Sequence, residues 1–83
     1  MKMEEEIRAM LAIVARALVD NADDVIVEVI ASGLQTCVFV IRCNKNDLGK
    51  VIGKSGRTAT SLRIILTAIA SKYGKRAILN IEE

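Results

Sequence analysis

The sequence predicts an α+β domain in which one three-stranded sheet is covered on one face by helices, in the order helix, strand, strand, helix, helix, strand. Three observations carry that expectation. Apolar residues recur at three- and four-residue spacing in the first quarter of the chain and again after residue 57, β-branched runs fill the stretch between 25 and 43, and a glycine-bracketed break separates two helical patterns.

Over about 4–19, Ile7, Met10, Leu11, Val14 and Leu18 form one helical stripe, and Glu4, Glu5 and Glu6 suit the positive end of a helix dipole. Asp20 to Asp24 breaks the pattern with residues that favour turns. A strand over about 25–30 follows, then a turn at Ala31-Ser32-Gly33. The partner strand, about 36–43, has Cys37, Phe39, Ile41 and Cys43 on one face and Thr36, Val38, Val40 and Arg42 on the other. Asn44 or Asn46 caps a brief helix over about 46–52. After a glycine loop at 53–56, a long helix over about 57–73 turns Ala59, Leu62, Ile65, Leu66, Ile69 and Tyr73 inward and Arg57, Thr60, Arg63, Thr67 and Lys72 outward. Gly74 ends it in a left-handed cap, and a last strand spans about 77–81.

Eighty-three residues make one domain, 1–83, with a thin core that removes about 60–65% of the unfolded surface from water. The net charge of +2 hides a strong asymmetry. Residues 1–41 hold three Lys or Arg against seven Asp or Glu, whereas residues 42–76 hold nine against one, Asp47. A basic block of that bias suits a polyanion-binding face. There is no His, and Cys37 and Cys43 do not make a metal signature, so no metal or cofactor is expected. Two cysteines six residues apart on one extended strand lie about 20 Å from each other, too far for a disulfide, and suit a reducing compartment. Glu4-Glu5-Glu6 precedes any apolar run and no stretch is long and apolar enough to span a bilayer, which makes a cytoplasmic location the expectation.

The run Gly49 to Gly56, followed at once by Arg57, brackets a Lys-Ser pair with glycines where a helical pattern begins. Such a loop lets another backbone approach closely, beside the N–H groups of a helix start, and so suits phosphate. It is not a nucleotide-hydrolysing P-loop. That motif needs four residues between its first glycine and Gly-Lys-Ser, and here only Lys50, Val51 and Ile52 separate Gly49 from Gly53. The preceding segment is also helical rather than the strand that feeds a P-loop.

Val51-Ile52-Gly53-Lys54-Ser55-Gly56-Arg57 between two helices instead resembles the Gly-x-x-Gly signature of KH domains, whose loop clamps about four backbone nucleotides. The element order matches the type II arrangement of that fold over nearly the whole chain. The chain looks closest to the small bacterial KH proteins of the KhpA type, with which it shares Ala17-Leu18-Val19-Asp20-Asn21 and Asp47 to Lys54. Ala59 and Ala22 depart from the pattern, standing where a larger aliphatic and a Pro are usual. The resemblance implies a non-catalytic RNA-binding protein, an RNA chaperone linked to cell-shape and cell-wall control. It also implies a larger KH-containing partner of the KhpB type.

In such a site the backbone N–H groups of Lys54, Ser55 and Gly56 face phosphates, with Gly53 permitting the approach. Lys54 and Arg57 add charge, Lys50 lines the entrance, and Leu48, Ile52 and Ala59 make an apolar floor. No catalytic residues are expected, since His and paired carboxylates near the loop are missing. The ligand expected is single-stranded RNA, with single-stranded DNA left open. Val38, Val40, Ile26 and Ile30 make the outer sheet face more apolar than a free surface needs, which suggests a homodimer or hetero-complex through the sheet. The rival readings are a protein-interaction subunit of a KH complex and a ribosome-associated assembly factor.

Overall fold

A computed structural model describes residues 2–83. Six elements follow in the expected order: α1 (Lys2–Leu18), β1 (Ile26–Ser32), β2 (Thr36–Arg42), α2 (Leu48–Ile52), α3 (Arg57–Lys72) and β3 (Arg76–Glu82). Single 3-10 turns at Ala22–Asp24, Lys45–Asp47 and Lys54–Gly56 complete the connections. Of the two asparagines expected to cap the short helix, neither caps α2, whose N-cap is Asp47 and which has no side-chain cap bond; Asn44 instead caps the 3-10 turn that leads into it, its side-chain oxygen accepting from the Asn46 N–H at 2.9 Å.

The sheet order is β1-β2-β3, with β1 antiparallel and β2 parallel to their neighbours across the β1/β2 and β2/β3 pairs. Parallel pairing of β2 with β3 demands a long crossover, and α2 and α3 supply it on one face of the sheet. β1 carries a bulge at Ile30, so that Val29 faces Phe39 while Ala31 faces Val38. Cys43 lies just beyond β2 yet stays buried, its N–H donating to the Glu82 carbonyl at 3.2 Å.

Phe39 and Ile41 of the central strand are fully buried with Met3, Ile7 and Leu11 of α1 and Leu66 of α3. The α1 stripe holds as expected except at Leu18, which the helix end leaves partly exposed. On α3 the buried line is Ala59, Leu62, Leu66 and Ala70, with Ile69 half-buried. Ile65 and Tyr73, expected inside, are 44% and 42% exposed. Small residues stand at both ends of that line, and only this part of the apolar stripe of α3 is covered.

The outer sheet face also differs from expectation. Val40 is 1% exposed, because it lies on the central strand in register with Glu28 on one side and Asn80 on the other. Next to it Arg42 spans the sheet to Glu28 at 2.8 Å and Glu82 at 2.5 Å. Ile26, Ile30 and Ile78 remain exposed around this charged bridge.

Candidate nucleic-acid interface

The loop between α2 and α3 is shaped by backbone conformations that favour glycine. Gly53 has φ 82° and ψ 166°, a region closed to residues with a Cβ. A Cβ built there would also meet Thr58 Oγ1 at 2.2 Å, Thr58 Cβ at 2.7 Å and Thr58 N at 2.8 Å. Ser55 (φ 57°) and Gly56 (φ 73°) then follow each other in the left-handed region, which turns the chain sharply into the first turn of α3. The Gly56 position itself is open, with nothing within 4 Å of a built Cβ.

Two N–H groups are consumed by this turn. Gly56 N–H donates to the Gly53 carbonyl at 3.0 Å, and Arg57 N–H donates to the Lys54 carbonyl. Gly56 N–H, expected to face a phosphate, is therefore internal to the loop, and the N–H groups at its exposed tip are those of Lys54 and Ser55. Both side chains are exposed, as is Arg57. Neither Lys54 nor Arg57 forms an ion pair among the described residues.

Lys50 has a different setting. Its Nζ lies 2.5 Å from Asp20 and 3.3 Å from Asp47, and these two carboxylates, Asp20 first, raise its pKa. Asp47 is 1% exposed and is the centre of a latch. Its carboxylate accepts from the Asn21 side chain at 2.9 Å, from the Asn21 N–H at 3.0 Å and from the Asp20 N–H at 3.3 Å, besides Lys50. The Asn21 amide, above all, together with the two backbone donors and Lys50, lowers its pKa to about 2 against the opposing effect of burial. The latch ties the turn after α1 to the start of α2, and so fixes the helix that carries the loop.

Of the expected floor, Leu48 and Ile52 are half-buried, and Leu48 packs on the core. Ala59 is 3% exposed and faces inward, so it supports the loop from beneath. The structure brings Gly53, Lys54, Ser55, Gly56 and Arg57 together at one exposed corner, with Leu48 and Ile52 on the adjoining helix and Lys50 turned toward Asp20. Sequence reasoning missed Asp47 and Asn21. The available signal was the single acidic residue in an otherwise basic stretch, a carboxylate with reason to be buried and paired.

The basic block is also divided by the fold. Arg42 serves the outer sheet face, Arg63 donates to the Leu79 carbonyl, and Lys72 lies 5.6 Å from the Tyr73 ring centroid. What remains beside the glycine loop is the Lys54 and Arg57 pair. A helix, 3-10 turn and Gly-Lys-Ser-Gly loop held between α2 and α3 over a sheet of this topology is the arrangement of a type II KH domain.

Comparison with known families agrees with that geometry: the family model "KhpA/KhpB, KH domain" matches residues 8–81. The chain belongs to this family. A protein named RNA-binding protein KhpA from Aquifex aeolicus is 48% identical over 77 residues, which cover 93% of this chain and 96% of that one. Proteins of the same name from Caldanaerobacter subterraneus and Leifsonia xyli are each 44% identical over 68 residues, covering 82% of this chain and 89% and 86% of theirs. No solved structure matches the chain. The Asp47 latch joins the segment that ends at Asn21 to the one that begins at Asp47, each supplying one side of it. Among the described residues no helix is long and apolar enough to cross a membrane, and no cluster of His, Cys, Asp and Glu is placed to hold a metal.

Proposed function

We propose that this chain is a non-catalytic, sequence-tolerant single-stranded RNA-binding protein that grips about four nucleotides at the loop Gly53–Gly56. The observation that carries the reading is the exposed loop tip, where Lys54 and Arg57 have no carboxylate partners and the N–H groups of Lys54 and Ser55 are not among those the turn consumes. Gly53 allows the strand's backbone to come close. Lys54, Ser55 and Arg57 form the phosphate contact, Gly56 leaves open space beside them, and Leu48 and Ile52 lie beneath the first bases. Lys50 joins only by leaving Asp20, so its share is smaller.

So few charges on so short a footprint give affinity on the order of micromolar. Useful occupancy then calls for a second module, because linked sites gain avidity by orders of magnitude. A second copy of the chain, or a larger KH-containing protein of the KhpB type, on the outer sheet face around Ile26, Ile30 and Ile78 supplies it. The relatives' name, RNA-binding protein KhpA, supports the ligand. A cytoplasmic setting and a role as an RNA chaperone in cell-shape and wall control complete the reading.

The test is the double substitution K54D/S55D. Both side chains are exposed, and Asp is among the residues that tolerate the left-handed conformation of Ser55. Binding of a short single-stranded RNA should be lost while partner binding persists. Retention of RNA binding by the folded variant would refute the proposal in favour of a protein-interaction subunit.

A further inference from the structure

Lys50 is the cation of α2, and it stands three residues before Gly53, less than one helical turn away. The helix runs into the loop without a break, since the Gly53 N–H donates to the Gly49 carbonyl at 2.8 Å. A flexible four-carbon stem carries the Lys50 ammonium, so an anion held at the loop competes for it. Two carboxylates hold it instead. Nζ donates to Asp20 Oδ2 at 2.5 Å and to Asp47 Oδ1 at 3.3 Å.

The two carboxylates differ in what else they do. Asp47 is buried and accepts from the Asn21 side chain and from the Asn21 and Asp20 N–H groups, so it keeps three donors when Lys50 leaves. The Asp20 side chain is 79% exposed, and among the described residues Lys50 is its only partner. Asp20 joins the latch through its N–H alone, and that bond sets its carboxylate beside Lys50. Its carboxylate therefore faces the ammonium without holding the fold together. An ion pair this exposed is weak and readily exchanged for another anion.

We infer that Asp20 tethers Lys50 and thereby limits the grip of the loop on RNA. With this carboxylate in place the strand meets two cations, Lys54 and Arg57. With its charge removed, Lys50 swings to the strand as a third. The weak binding of the single module is then a property set by one exposed carboxylate outside the loop, and not by the loop alone. The inference rests on the RNA-binding reading above and names what sets its affinity.

The discriminating variant is D20N, which keeps the N–H donated to Asp47 and removes only the charge. D20S does the same with a shorter side chain. Binding is measured by fluorescence anisotropy with an eight-nucleotide oligouridine RNA at several salt concentrations. D20N and D20S should bind about fivefold tighter than the native chain at about 0.1 M salt and steepen the salt slope by about 0.7, the increment for one further phosphate contact on a single strand. In the K50A background the same substitutions should change nothing, because the cation they release is gone. D23N removes an exposed charge of the same turn that has no ion pair with Lys50, and should leave affinity nearly unchanged. No gain in D20N and D20S would overturn the tether, as would a gain equally large in D20N/K50A or in D23N. Failure of the native chain to bind the RNA would overturn the RNA reading along with it, whereas loss in K54D/S55D with no gain in D20N would overturn the tether alone.

Discussion

Replacing Gly53 by Ala separates the two demands that the loop places on glycine. At φ 82° and ψ 166° the backbone is accessible essentially to Gly alone, and a residue held there costs about 1–3 kcal/mol. The added methyl also meets Thr58. Rotation of that side chain can remove the 2.2 Å contact with Oγ1, but not those with Thr58 Cβ at 2.7 Å and Thr58 N at 2.8 Å, which only backbone movement relieves. Overpacking of this kind adds roughly 1–3 kcal/mol. The sum is about 2–6 kcal/mol, and at about 4–8 °C per kcal/mol for a domain of this size the midpoint of thermal unfolding falls by at least about 8 °C. G56A provides the internal comparison. Gly56 is also left-handed but has open space at the Cβ position, so only the conformational cost of about 1–2 kcal/mol applies. Thermal and urea unfolding followed by circular dichroism rank the two variants. A G53A loss no larger than that of G56A would refute the account of Thr58 as the residue that closes the loop. Because alanine at 58 keeps the Cβ and N contacts, the double variant G53A/T58A should recover little of the loss.

Asp47, with a folded-state pKa of about 2 against an ordinary 3.8, stabilises the fold fully above about pH 4 and loses that contribution as pH falls through 2. D47N should therefore be less stable than the native chain at pH 7 and show a flatter acid limb in a pH series of urea unfolding. Glu4, lowered chiefly by the Ser32 hydroxyl, should retain its own part of that slope, so an acid limb that D47N leaves unaltered would remove Asp47 as a keystone. K54A should weaken RNA binding more than K50A and reduce the salt slope by about 0.7, the increment for one phosphate contact on a single strand. Titrations at several salt concentrations decide it, and an equal effect of both variants would place Lys50 at the phosphates too. Replacing Ile26 and Ile78 by Thr should weaken association through the outer sheet face while leaving the unfolding midpoint nearly unchanged, which analytical ultracentrifugation and calorimetry together can check.

The element order was legible because it rests on local chemistry: the spacing of Ile7, Leu11 and Val14, the β-branched run from Val25, and the left-handed cap at Gly74. Misassigned positions all depend on neighbours that a single strand or helix does not specify. Val40 alternates outward with Val38, yet Glu28 and Asn80 flank it and remove it from water. Ile65 continues the apolar stripe of α3, but the helix touches β3 along a line narrower than the stripe.

The same limit explains the site. The glycines and the two cations of the loop sit within five consecutive residues, and a local motif can reveal them. The latch is different, because it joins Asn21 to Asp47 across 26 positions, and it decides where Lys50 points. By drawing Lys50 toward Asp20 it leaves Lys54 and Arg57 as the unpaired charges at the loop, a cationic surface much smaller than the nine basic residues of 42–76 suggest. The proposed grip, built on two cations and two N–H groups, has no means to read a base edge. Under the proposed function, discrimination among RNAs falls to groups outside the loop or to a second module joined to it.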